Sequence, residues 1–130
     1  MIKNNSIVGL DFDGTVVKHR YPSIGEPVPD AVRVIKRLIR EKECKIILHT
    51  MRGSRELNNA VGYLKKNGID LYGENENPKQ RGGPFRHSKK VWCDYYIDDS
   101  AIGCPLITPK GEKPFANWLE LEKLIFEGEL

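Results

Sequence analysis

Short apolar runs that break off at an acid or a hydroxyl recur along this chain, with stretches of helical spacing between them. Ile7-Val8-Gly9-Leu10 ends at Asp11, residues 44–49 end at Thr50, and Tyr95-Tyr96-Ile97 ends at Asp98-Asp99. Continuous apolar runs of this length predict strands covered on both faces. Ala31, Val34, Ile35 and Leu38 follow Pro29-Asp30 at helical spacing and predict a first helix. Leu57, Val61 and Leu64 predict a second, from a Ser54 cap to about Lys66, stopped by Asn67-Gly68. Residues 69–72, 92–97 and 105–107 read as the third, fourth and fifth strands, and residues 114–126 as a final amphipathic helix. This alternation predicts one α/β domain over residues 1–130, with a Rossmann-like, doubly wound, mostly parallel five-stranded sheet.

Two connections are longer than such a sheet needs. Residues 16–28 join the first strand to the first helix and carry His19, Arg20, Tyr21 and Pro22. Residues 74–89 hold Lys79, Arg81, Arg86, His87 and Lys89, with Phe85 as their large apolar side chain. That second segment is either a solvated, mobile loop or one that contacts substrate. The substrate reading predicts that it governs substrate choice and not the chemical step, because it can reach a substrate's non-reacting part.

The chain of 130 residues carries 30% charged and 39% apolar residues, as soluble domains do, and a net charge of +3. That charge does not argue for nucleic acid, and no aromatic pattern interleaves the basic residues, so nucleic acid is possible but not indicated. Cys44, Cys93 and Cys104 form no C-x-x-C pair, which argues against zinc. Cys44 and Cys93 adjoin strands and read as buried, small apolar groups. An odd cysteine number without a framework points to a reducing compartment. No leader and no membrane span is expected, and the protein is read as cytoplasmic.

The strand ends carry the chemistry. Asp11-Phe12-Asp13-Gly14-Thr15 sets two carboxylates where a buried strand ends, before a Gly that lets the backbone turn. Such acids repel and resist burial, a cost that is offset where a cation and a phosphate bind. Asp98-Asp99 repeats the arrangement. In open parallel sheets ligands bind beyond the carboxyl ends of the strands, so Asp11, Thr50 and Asp98 should converge. Four carboxylates meeting without a metal predict that Asp13→Asn melts no lower than wild type in chelator.

These motifs, in this order, resemble the haloacid dehalogenase (HAD) superfamily of phosphohydrolases. The first motif matches residues 11–15, the second Thr50, and the fourth Asp98 and Asp99. The third, a Lys four residues before the Asp that opens the last strand, matches Lys90 through Lys90-Val91-Trp92-Cys93-Asp94, with Lys89 and Lys79 as alternatives. Neither long connection suffices for a folded cap, so the chain resembles the capless subgroup, open to solvent unless the long loop or a second copy covers the site.

The resemblance implies a Mg²⁺-dependent phosphatase acting on a small phosphorylated metabolite. It makes Asp11 the nucleophile of an aspartyl-phosphate and Asp13 the general acid, a position that is Lys in HAD ATPases and not acidic in dehalogenases. Mg²⁺ would sit between Asp98, an Asp11 oxygen and the Asp13 backbone carbonyl, with Asp99 holding a water or Lys90. Thr50 and amides near Asp13 and Met51 would bind phosphoryl oxygens. Arg52 either contacts substrate or is a solvated loop residue. His49 should point to the opposite side of its strand and be structural; His19 and His87 read as surface residues. The competing readings are a phosphatase of nucleic-acid ends or phosphoprotein, and a non-catalytic binding module, against which the intact set of acids argues.

Overall fold

In the computed structural model, residues 1–128 are described. Strands β1 (Ile7–Leu10), β2 (Lys45–Leu48), β3 (Gly73–Glu74) and β4 (Tyr95–Ile97) form a parallel sheet in the order β3-β2-β1-β4. The chain walks outward from β1 to β3 and then returns to the far side of β1. A topological switch point therefore lies between β1 and β4.

Among the described residues the central sheet has four strands, not five. The expected fifth, β5 (Leu106–Ile107), pairs antiparallel with β6 (Phe115–Ala116) in a separate two-stranded sheet. Residues 115–116 were expected to open the last helix. Asn117 decides otherwise: its side chain accepts from the Glu120 amide, so helix α3 (Trp118–Phe126) starts only after it. β3 also falls later than residues 69–72. The Ile69 amide still closes the end of helix α2 (Ser54–Lys66) on the Leu64 carbonyl, and contact with β2 begins when Tyr72 donates to Ile46. Gly53, not Ser54, is the N-cap of α2, and no side chain caps it.

Alternation along the strands divides the core. Val8, Leu10, Ile46, Leu48 and Ile97 belong to one cluster with Leu38 of helix α1 (Ala31–Lys42), Leu64 of α2 and Trp118 of α3. Ile7 and Ile47 point the other way and pack on Val91 and Cys93. Helices α1, α2 and α3 thus cover one face. The opposite face is covered by the connection from β3 to β4, whose regular structure is a 3₁₀ turn, Pro78–Gln80. The sheet is not flanked by α-helices on both sides as a doubly wound sheet would be, because residues 74–89 lack the apolar stripe of an amphipathic helix. Arg33 and Arg37 of α1 both hold Glu122 of α3, which fixes these helices to each other.

Cys44 and Cys93 are buried and unpaired. Burial pushes the Cys93 thiol up to about 11, so it stays neutral and packs as an apolar group. Among the described residues, no helix is long and apolar enough to cross a membrane.

Candidate active site

The carboxyl ends of the strands meet at a cleft of about 520 Å³ lined by Asp11, Asp13, Thr50, Met51, Asp98 and Asp99. Asp11, Asp98 and Asp99 each place an oxygen within 4.8 Å of the others. Thr15 ties them together. It is fully buried, its hydroxyl donates to Asp11 Oδ2 at 2.8 Å, and it accepts from the Asp99 amide at 3.0 Å. Its carbonyl accepts from the Trp118 indole at 2.7 Å, which anchors this turn to the core. Gly14 has φ +87°, and a Cβ there would collide with His19 and with the Asp99 carboxylate. Only Gly fits both the backbone and the space. His19 is exposed, as expected, yet it reaches the cluster: its Nε2 lies 2.9 Å from Asp99 Oδ2.

Burial, then the neighbouring Asp99 and Asp98 carboxylates, push the Asp11 carboxyl up from 3.8 to about 8. Between about pH 4 and pH 8 the folded, metal-free protein therefore keeps a proton that the unfolded chain has already released. Stability from this group is complete below pH 4 and is lost as pH rises through about 8. In chelator, the melting temperature of wild type is expected to fall over that window relative to Asp11→Asn; parallel melting curves for the two proteins would refute it. An all-oxygen cluster of this kind suits a hard cation such as Mg²⁺, which would take the place of that proton.

Asp13 stands apart from the cluster. Both its oxygens are held by Arg52, with Nε and Nη2 each donating at 2.8 Å. Arg52 also donates to the carbonyls of Ser23, Pro22 and Glu56, and lies over the rings of Phe12 and Tyr21. Its side chain is 1% exposed. Arg52 is therefore not a solvated loop residue: its donors meet protein oxygens, and it lines the cleft together with Asp13. It clamps the 16–28 connection onto the first motif. The four-carboxylate repulsion argument fails for the same reason, since Asp13 is the counter-ion of a buried guanidinium. Removing it leaves that charge unpaired.

Thr50 sits at the end of β2 as expected. Its amide donates to the Asn75 side chain at 2.8 Å, and its hydroxyl accepts from the Arg52 amide at 3.2 Å. Asn75 follows β3 with φ +54°, a conformation Asn tolerates better than most residues. It brings the fourth strand end into the site, which local pattern missed because that strand was expected over residues 69–72. Met51 is fully exposed at the cleft. His49 packs against the Tyr96 ring and also lines a hollow with Asp11, Thr50 and Asp98, so it is not turned away from the strand ends as expected.

The lysines divide. Lys89, with Asp11, Thr50, Asn75 and Asp98, lines a second hollow of about 290 Å³ opening from the same strand ends. Lys90 Nζ instead lies 5.7 Å from the centre of the Tyr96 ring, and Lys79 lines neither hollow. Lys89 thus lines the hollow itself, while Lys90, the expected choice, lies against Tyr96, whose ring packs on His49 at the edge of the same hollow.

Fold and strand ends define an α/β protein with a mostly parallel, Rossmann-like sheet and an acidic group at its switch point able to bind a metal. Neither a protein-family profile nor a curated protein matches the chain. It is similar to the solved structure of a conserved protein from Bacteroides thetaiotaomicron: identity is 31%, the match covers 98% of this chain and 94% of that one, and the TM-score is 0.77. The chain belongs to the same family as that protein.

Proposed function

We propose that the protein is a Mg²⁺-dependent phosphomonoesterase of the HAD type, working through an aspartyl-phosphate. The observation that carries this reading is the clustering of Asp11 with Asp98 and Asp99 at the switch point, with Thr50 and Lys89 lining the same space. Bound Mg²⁺, held by Asp11, Asp98 and Asp99, would neutralise phosphoryl charge and keep Asp11 ionised.

An Asp11 oxygen forms a bond to phosphorus. At rest both Asp13 oxygens accept from Arg52, so one oxygen first leaves that fork and takes a proton from solvent. The bond from phosphorus to the ester oxygen breaks, and its electron pair leaves with that oxygen, which takes this proton from Asp13. Water then attacks phosphorus and gives its proton to Asp13. The bond to Asp11 breaks, freeing inorganic phosphate. Thr50 and Lys89 hold the phosphoryl oxygens throughout, and preorganised charge of this sort is a large part of catalysis.

Turnover of p-nitrophenyl phosphate with Mg²⁺, abolished by chelator and restored by adding the metal back, is the expected result. No turnover of that ester or of a panel of phosphorylated metabolites at any Mg²⁺ concentration would refute the assignment. Lys89→Ala should lower kcat by roughly 10²-fold, and Lys90→Ala by no more than about threefold. A dead Lys90→Ala beside a near-normal Lys89→Ala would return the role to Lys90.

A further inference from the structure

The connection between β3 and β4 is a built wall and not a slack loop. Asn77 is 3% exposed; its side chain accepts from the Lys79 amide and donates to the Trp92 carbonyl at 2.9 Å. Gln80 accepts from the Trp92 amide at 2.7 Å and donates to the Lys90 carbonyl at 3.2 Å. Two polar side chains thus staple the outgoing half of the segment to the returning half. Ordering a polar segment costs conformational entropy, and these bonds offset it without any apolar core.

The stapled wall carries two hollows beyond the acidic cleft. The first, about 320 Å³, shares Asn75, Lys89 and Val91 with the hollow at Asp11, and adds Arg81 and Arg86. Three cations there face one carboxylate, Glu76, which engages Arg81. The second, about 230 Å³, shares Asn77 and Gln80 with the first and is walled by Phe85 and Trp92. Both rings are largely in solvent, Phe85 at 65% and Trp92 at 48%. Phe85 was visible in the sequence; Trp92 joins it only through the Gln80 and Asn77 staples.

Along one surface, then, a phosphoryl-cleaving cleft adjoins a cationic hollow, which adjoins a pair of exposed aromatic rings. Cations recognise a second anionic group, and exposed rings beside cations recognise the flat face of a base by stacking. We propose that the substrate is a phosphomonoester whose leaving group carries both a second phosphate and a nucleobase. The reacting phosphate lies at Asp11, the second at Arg81 and Arg86, and the base against Phe85 and Trp92. A free nucleotide and the phosphorylated end of a strand share this chemistry. The proposal rests on the phosphatase reading for the reacting group, but the binding it asserts does not depend on turnover.

The test uses the full chain. Trp118 is fully buried and Trp92 is exposed, so quenching of tryptophan emission by a stacked base reports on Trp92. In Mg²⁺, adenosine 3′,5′-bisphosphate should quench Asp11→Asn saturably, and Trp92→Phe in that background should remove the quench. Ribose 1,5-bisphosphate, with two phosphates and no base, should not quench. In turnover, the ratio of kcat/KM for adenosine 3′,5′-bisphosphate to that for p-nitrophenyl phosphate should fall at least tenfold in Arg81→Gln/Arg86→Gln. A 5′-phosphorylated dinucleotide tried beside the free nucleotide tells the two sources apart, and saturable quenching by either supports the proposal. Quenching and binding without turnover of any ester would sink the phosphatase reading and leave this site standing. Turnover of p-nitrophenyl phosphate with no quench, or equal preference for the two bisphosphates, would overturn the proposal.

Discussion

Asp11→Asn is expected to yield a folded protein whose phosphatase turnover has dropped by roughly 10³-fold or more. The amide keeps the shape of the side chain but cannot form the phosphoryl bond. In chelator this variant should melt higher than wild type at pH 8, because wild type must then either bury a charge beside Asp98 and Asp99 or hold a proton against the solution. Loss of activity with gain of stability separates a functional acid from a structural one. Turnover above a few per cent of wild type would remove Asp11 as nucleophile. A lower melting temperature in chelator would show that the carboxylate supports the fold.

Asp13→Asn, two residues away, is expected to do the opposite to stability. Arg52 would be left buried with its guanidinium facing an amide in place of a carboxylate. Breaking one side of a buried ion pair costs about 3 kcal/mol, which corresponds to a fall of roughly 10 °C in melting temperature for a domain of this size. Arg52→Met should cost less than that, since it removes the charge together with its need for a partner, although the carbonyls of Pro22 and Ser23 lose their donor. Thermal melts of both variants, in chelator and in Mg²⁺, decide the matter. If Asp13→Asn melts at or above wild type, the Asp13–Arg52 pair is not holding the 16–28 connection in place. Activity should fall in both variants, further with alkyl than with aryl phosphates, because alkoxide leaving groups need the proton more.

These two expectations differ because of what each aspartate meets, and that difference was only half legible beforehand. Asp11, Thr50, Asp98 and Asp99 could be placed at strand ends from local pattern, and the sheet order then brings them together without further information. Arg52 could not be placed. Met51-Arg52-Gly53 reads as an ordinary loop, and its burial depends on carbonyls from a connection about one helix and one strand earlier in the chain. The choice between the lysines turns on a still finer point. Lys89 and Lys90 are neighbours in a bend, and which of them lines the hollow depends on how that bend packs.

By itself, the sequence determined the elements whose signals are short in range: the apolar runs that became β1, β2 and β4, the spacing that became α1 and α2, and the acids that close the strands. Local propensity and burial agree there, so each run has one good solution. The tertiary structure decided whatever depended on a partner distant in the chain. It paired β5 with β6 instead of adding it to the sheet, spent Asp13 on Arg52, and set Trp92 beside Phe85 through the side chains of Asn77 and Gln80. The physical reason is common to all three. A strand edge, a carboxylate and an exposed ring each have many acceptable partners, and only the packed chain selects one.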